Sequence, residues 1–176
     1  MNFKNKKGVT LIELIIAMAL SIMLIIPVMI IFITANTTLF SSGKLSTAQT
    51  IANLASDKIK RELSFASNAV ITNTITLQSD KYYIFVQGGM LYKKSGSTNT
   101  DEEIINQSML NTEGLAIQIN FNSPGGKIIN AEISILEIST NNIIYKLNKS
   151  IFFQNMPDGV TIANSTGSIA EYSKPS

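Results

Sequence analysis

The chain contains no cysteine and no histidine. The first absence removes disulfide frameworks and thiolate chemistry. Together they leave nothing from which to build the usual nucleophilic triads or a His- and Cys-liganded zinc site. No G-x-S-x-G turn and no phosphate-cradling glycine loop is present either. Glycoside hydrolysis needs only a pair of carboxylates, but nothing in the spacing of Glu113, Glu132 and Glu137 argues for such a pair. The sequence therefore reads as a non-enzyme that calls for no cofactor and no metal. An excess of positive charge is lacking as well. Three of the 14 basic residues, Lys4, Lys6 and Lys7, precede residue 9, which leaves 11 basic against 12 acidic residues in the rest. The formal charge of +2 thus belongs to the first few residues. DNA as a partner is conceivable but unsupported by charge.

What is present in quantity is apolar sequence. Val9 to Ile33 is a run of 25 residues interrupted only by Thr10, Glu13 and Ser21. A helix of about 20 residues crosses a hydrocarbon core of ~30 Å. A cleavable secretory signal has a shorter apolar region and a small-residue cleavage site after it, and no such site follows Ile33, so the run is expected to stay in the mature protein. Lysines crowd its N-terminal side, whereas only Lys44 lies between its end and Asp57. The positive-inside bias places the N-terminus in the cytoplasm and everything after about residue 35 outside, as a single-pass protein of the cytoplasmic membrane.

Beyond the span, Leu45, Ala48, Ala52, Ala55, Ile59 and Leu63 recur at steps of three and four, with Ile51 and Leu54 widening the face. That spacing predicts an amphipathic helix to about Ala66, with Lys58, Lys60, Arg61 and Glu62 mostly on its wet side. Pro27 is expected to kink or locally melt the helix, and Gly43 is a second weak point. After Asn68 the period becomes two. Tyr82 to Val86 and Met90 to Tyr92 flank Gly88-Gly89 as a hairpin. Residues 95–114 read as a polar loop. Leu115 to Phe121, Ile128 to Ile138 and Ile143 to Phe153 read as a meander joined by Ser123-Pro124-Gly125-Gly126 and Thr140-Asn141-Asn142. The stretch from Met156 reads as a short strand and a loose tail. The expected fold is α+β: a long N-terminal helix whose second half covers an antiparallel sheet. Its expected divisions are 1–8, a leader; 9–33, the membrane or filament-core helix; 34–68, the amphipathic helix; and 69–176, a β-rich head.

Three clusters have plain readings. Asp101-Glu102-Glu103 lacks the alternating ligands and glycine of a calcium loop and reads as solvated. Lys58, Lys60 and Arg61 read as the wet face of a helix. Tyr82, Tyr83, Phe85 and Tyr92 alternate as core aromatics do rather than as a base-stacking platform. Thr10-Leu11-Ile12-Glu13 fits an S/T-x-x-E capping box, which accounts for Glu13 only in part.

Lys6-Lys7-Gly8 followed by Val9-Thr10-Leu11-Ile12-Glu13-Leu14 resembles the cleavage and methylation signal of type IV prepilins and pseudopilins. Ile59-Lys60-Arg61-Glu62-Leu63-Ser64-Phe65-Ala66 and the late strands are similar to those of W-type minor pilins and J-type pseudopilins. The resemblance implies that a prepilin peptidase cuts after Gly8 on the cytoplasmic face and methylates the new amine of Val9, where phenylalanine is usual. It also implies that Glu13 pairs with that amine on a neighbouring subunit. The function implied is that of a structural, minor subunit of a type IV pilus or of a secretion or competence pseudopilus. Its partners would be other pilin subunits, the peptidase, the membrane and the pilus assembly platform, and its destination a filament on the cell surface or in the envelope. The rival reading is a membrane-anchored binding module, a tip adhesin or DNA-uptake subunit.

Overall fold

The computed structural model describes residues 9–163 and 165–175. The chain divides into two compact units, Met1–Gly43 and Lys44–Ser176, and helix α1, Leu11–Ser64, contributes residues to both.

In the first unit the described chain is almost wholly helical. The helix runs without a break through Pro27 and Gly43, so the local melting expected at the proline does not occur. The ring removes the donor that would reach the carbonyl four residues earlier, and the helical hydrogen bonds on both sides of it carry the helix through. The few hydroxyls of the apolar stretch fold back onto the helix: Ser21 Oγ donates to the Ala17 carbonyl and Thr34 Oγ1 to that of Ile30, each at 2.8 Å. Each of these hydroxyl hydrogens is thereby satisfied within the helix.

In the second unit the expected helical face is buried. Ala48, Ile51, Ala52, Ala55, Ile59 and Leu63 are all inaccessible to solvent, while Leu45 stays exposed. The three alanines lie at steps of four and three, and their small side chains let the sheets approach the helix. Around this face stand two antiparallel sheets rather than one continuous meander. The strands are β1 Asn68–Thr72, β2 Tyr82–Gln87, β3 Met90–Ser95, β4 Asp101–Glu103, β5 Leu115–Gly125, β6 Ile128–Glu137, β7 Ile143–Phe152, β8 Ser165–Gly167 and β9 Ile169–Ser173, with a short helix α2, Gln107–Asn111, before β5. The first sheet has the order β1-β9-β2-β3-β4 and the second β7-β6-β5-β8. One apolar cluster joins the helix face to Ile84, Leu91 and Tyr172 of the first sheet and to Ile117, Phe121 and Ile133 of the second.

The hairpin between β2 and β3 turns on Gly88 and Gly89, both at positive φ (59° and 78°), as a two-residue turn compatible with strand twist requires. Gly89 also touches the second sheet: its carbonyl accepts the Ile117 amide at 2.7 Å, and a Cβ there would meet the Ala116 Cβ at 2.8 Å. The hairpin tip is therefore the joint between the sheets. β5 runs farther than expected, through Ser123 and Pro124 to Gly125, with a bulge between Asn122 and Gly125. The buried Ser123 hydroxyl donates to the Ile128 carbonyl at 2.9 Å and accepts the Gly125 amide at 3.2 Å, closing the turn that the proline could not.

Two expectations are corrected. Residues 95–114 are not simply a loop, since Asp101–Glu103 forms edge strand β4 opposite Tyr92, Lys93 and Lys94. The stretch after Met156 is more than the expected short strand and loose tail: it forms two short strands, β8 and β9, and β9 lies in the interior of the first sheet, bonded to β1 on one side and β2 on the other.

Candidate functional site

The chemistry of the N-terminal segment is the most constrained in the chain. Lys4, Lys6, Lys7 and Gly8 lie outside the described residues. Val9 precedes the helix, and Glu13 sits in its first turn. The Thr10 amide donates to Glu13 Oε2 at 3.2 Å, the Thr10 hydroxyl to the same oxygen at 3.3 Å, and the Glu13 amide to Thr10 Oγ1 at 3.4 Å. This is a reciprocal capping box, and it places the carboxylate where a helix N-terminus favours negative charge. Both donors use Oε2, so Oε1 takes no donor among the described residues.

Past Glu13 the apolar side chains of the segment are uncovered among the described residues. Every large apolar residue from Leu11 to Ile33 is more than half exposed, from 80% at Leu11 to 53% at Ile16. A soluble monomer rarely leaves so large an apolar surface uncovered. Among the described residues α1 alone is long and apolar enough to cross a membrane.

The second cluster, at the other end of α1, is one that the sequence does not announce. Glu62 is not simply on a wet face: it is partly buried beneath β3 and β9. Its Oε2 accepts the Tyr172 hydroxyl at 2.8 Å and lies 3.3 Å from the Lys174 ammonium, while its Oε1 accepts from Lys93 at 3.0 Å. Both ammonium groups also lie over the Tyr82 ring, at 5.6 and 4.9 Å from its centroid, and that ring stacks on Tyr172. Burial pushes the Glu62 carboxyl up, but the hydrogen bonds from Tyr172 and Lys93 and the charges of Lys93 and Lys174 outweigh it, so the group titrates below its ordinary value. The Tyr172 phenol is driven far above its own ordinary value, chiefly by burial and then by Glu62. The only sequence signal for this cluster is a glutamate one residue from the buried helix stripe.

The remaining candidates separate. Lys58, Lys60 and Arg61 are exposed, as expected of a wet face. Two of the acidic trio pair across the strands, Asp101 with Lys94 at 3.2 Å and Glu102 with Lys93 at 3.9 Å. No group of carboxylates among the described residues could hold a metal ion. Glu132 pairs with Lys146, and Glu137 with Lys44. Tyr83 and Phe85 are buried with Ile169 in a small cluster, against which Ile75 and Tyr92 pack, and are not available to stack bases.

Residues 3–29 match the model of the prokaryotic N-terminal methylation motif. No curated protein matches the chain. Among solved structures, the fold is similar to that of the PilB minor pilin from Streptococcus sanguinis, at a TM-score of 0.52 and 15% identity over 73% of this chain. An aspartate-to-alanine mutant of the same minor pilin matches at a TM-score of 0.51, again with 15% identity over 73% of the chain. The chain spans about a third of the length of these structures, 34% of each.

Proposed function

We propose that this chain, which joins a prepilin-type methylation motif to a fold shared with a minor pilin, is a structural subunit of a type IV pilus or of a secretion or competence pseudopilus. It is inserted in the cytoplasmic membrane with its N-terminus inside, cut by prepilin peptidase after Gly8 and methylated on Val9. It then moves into a filament among other pilin subunits at the assembly platform. The observation that supports this best is the contrast between the two units. The apolar helical face of Lys44–Ser176 is covered by its own sheets, whereas the apolar residues of α1 up to Ile33 are left exposed among the described residues. Lipid supplies the cover before assembly and neighbouring helices supply it afterwards. Both are equally apolar, so the exchange is governed by packing and by polar pairs.

Glu13 is such a pair in waiting. A charge at the centre of a membrane helix costs about 3 kcal/mol by insertion scales, and even at a helix start it is seldom left without a partner. The capping box occupies one carboxylate oxygen. Cleavage at Gly8 would create a positive amine on Val9 of every subunit, and the charge of Glu13 is suited to neutralise a neighbour's. Glu13→Gln separates the two roles. Glutamine caps nearly as well but brings no charge to offset a desolvated ammonium. The variant should be cut normally while its crosslinking to other pilin subunits falls. Assembly at the wild-type level would overturn the charge-pair role and leave the cap as the whole explanation of Glu13.

A further inference from the structure

The outer face of the second sheet is built from side chains that strands ordinarily avoid. β5 contributes Asn120 and Asn122, β6 Asn130 and Glu132, and β7 Asn148 and Ser150. The strand register sets them in rows, Asn122 opposite Asn130 opposite Ser150, and Asn120 opposite Glu132 opposite Asn148. Asparagine is depleted in strands because its amide competes for backbone hydrogen bonds. Four of them on three adjacent strands run against local preference, and such conflicts gather at functional sites. The face is also hollowed. Two adjoining depressions of about 420 and 260 Å³ share Asn120 and Glu132, and their size suits a small ligand.

We propose that this face binds a neutral carbohydrate chain. A carboxamide offers two donors and an acceptor in one plane, and a sugar hydroxyl likewise both donates and accepts, so amide rows and hydroxyl rows are complementary without charge. Ser150 Oγ donates to Asn130 Oδ1 at 2.7 Å, which leaves the amide hydrogens of Asn130 for a ligand. Lys146 lies 2.8 Å from Glu132 and offsets its charge, which leaves Lys149, at the border of the first depression, as a single cation rather than a row of them. A nucleic acid or sulfated polymer would call for a row of cations instead. Ile143, 55% exposed, borders the second hollow and supplies an apolar contact for the C–H side of a sugar ring.

This inference does not depend on cleavage or filament incorporation, and its test reads binding alone. The full chain is purified in a detergent without a sugar headgroup, because an alkyl glycoside would itself compete for the face. Neutral hexasaccharides of glucose, N-acetylglucosamine and galactose are titrated into nitrogen-labelled protein, alongside a sulfated hexasaccharide and single-stranded DNA. At least one neutral hexasaccharide should give saturable shifts centred on the side-chain amides of Asn120, Asn122, Asn130 and Asn148. Asn130→Thr together with Asn148→Thr keeps strand-compatible residues, so the fold should hold. Losing about two neutral hydrogen bonds should weaken binding roughly tenfold or more. The proposal is overturned if no neutral hexasaccharide gives a saturable shift, if the double variant binds as well as the wild type, or if only the sulfated sugar and DNA bind.

Discussion

Tyr172, in β9, donates its phenolic hydrogen to Glu62, near the end of α1, at 2.8 Å across 110 positions of sequence. The bond fastens a strand formed late in the chain to the helix against which the head is built. Tyr172→Phe would preserve the ring and its stacking on Tyr82 while withdrawing one of the donors to the carboxylate. Hydrogen bonds to charged groups contribute about 1.5–3 kcal/mol when buried. Glu62 keeps some solvent and two lysines, so a loss of about 1–2 kcal/mol is expected, read as a lower urea midpoint with an unchanged slope.

The same cluster sets a pH dependence. Glu62 titrates below its ordinary 4.5 in the folded state, and so does Glu137, held down mainly by the hydrogen bond from Lys44. A depressed carboxyl contributes stability that is complete above the unfolded value and lost as pH falls through the folded one. The melting temperature should therefore be level near neutrality and fall below pH ~4.5, less steeply in Glu62→Gln. On the alkaline side the raised Tyr172 phenol acts in the opposite sense. Its contribution is complete below the ordinary tyrosine value of 10.0 and declines above it.

Gly96 follows the end of β3, where its amide donates to the Lys81 carbonyl at 2.8 Å. A Cβ at this position would run into the backbone carbonyl of Gln78. That segment also holds Tyr83, whose hydroxyl donates to the Thr76 carbonyl at 2.6 Å and accepts the Gln78 amide at 3.1 Å. Gly96→Ala should lift the segment off the sheet and cost about 2 kcal/mol or more. Faster exchange of the Gln78 amide, with the core helix unaffected, would be its signature.

Maturation makes a mass prediction. Protein extracted from membranes of a peptidase-positive host should begin at Val9, with or without one methyl group. Finding only chains that retain Gly8 would contradict the assignment of the cleavage site.

The basic trio Lys58, Lys60 and Arg61 should not make the head a tight DNA binder. Any binding should be weak and should fall with salt at a log-log slope of roughly −0.9 per phosphate neutralised on duplex. Submicromolar affinity at physiological salt, abolished by replacing the three, would favour a DNA-uptake role.

The helical parts were legible because periodicity survives tertiary context: the stripe from Ala48 to Leu63 is buried as its spacing says. The glycine-marked hairpin and the three long strands were legible for a similar reason, since turn chemistry is local. β4 was not. Three consecutive acidic residues contradict strand preference, and the strand is supported by Lys93 and Lys94 on its neighbour, a pairing invisible until the register is known. β9 was hidden by its length and its Ser- and Thr-rich surroundings, because five residues are too few for alternation to stand out. The role of Glu62 was obscured for a related reason. Its partners come from β3, β9 and the segment after β9, and no helical periodicity points to them. At Glu13 the local capping geometry was readable from four residues, whereas a charge pair with another copy of the chain is not a property of one chain at all.

The position of β9 between β1 and β2 has a consequence for biogenesis. Those two earlier strands do not pair with each other, so the first sheet cannot close until residues 169–173 have left the ribosome and, on the reading above, crossed to the exterior. Pairing of strands so distant in sequence slows folding. A nascent chain terminated before Ile169 would expose the flank of β1 and an open edge of β2 to proteases. The order of strands thus makes closure of the first sheet wait on residues 169–173, however early its other strands are made.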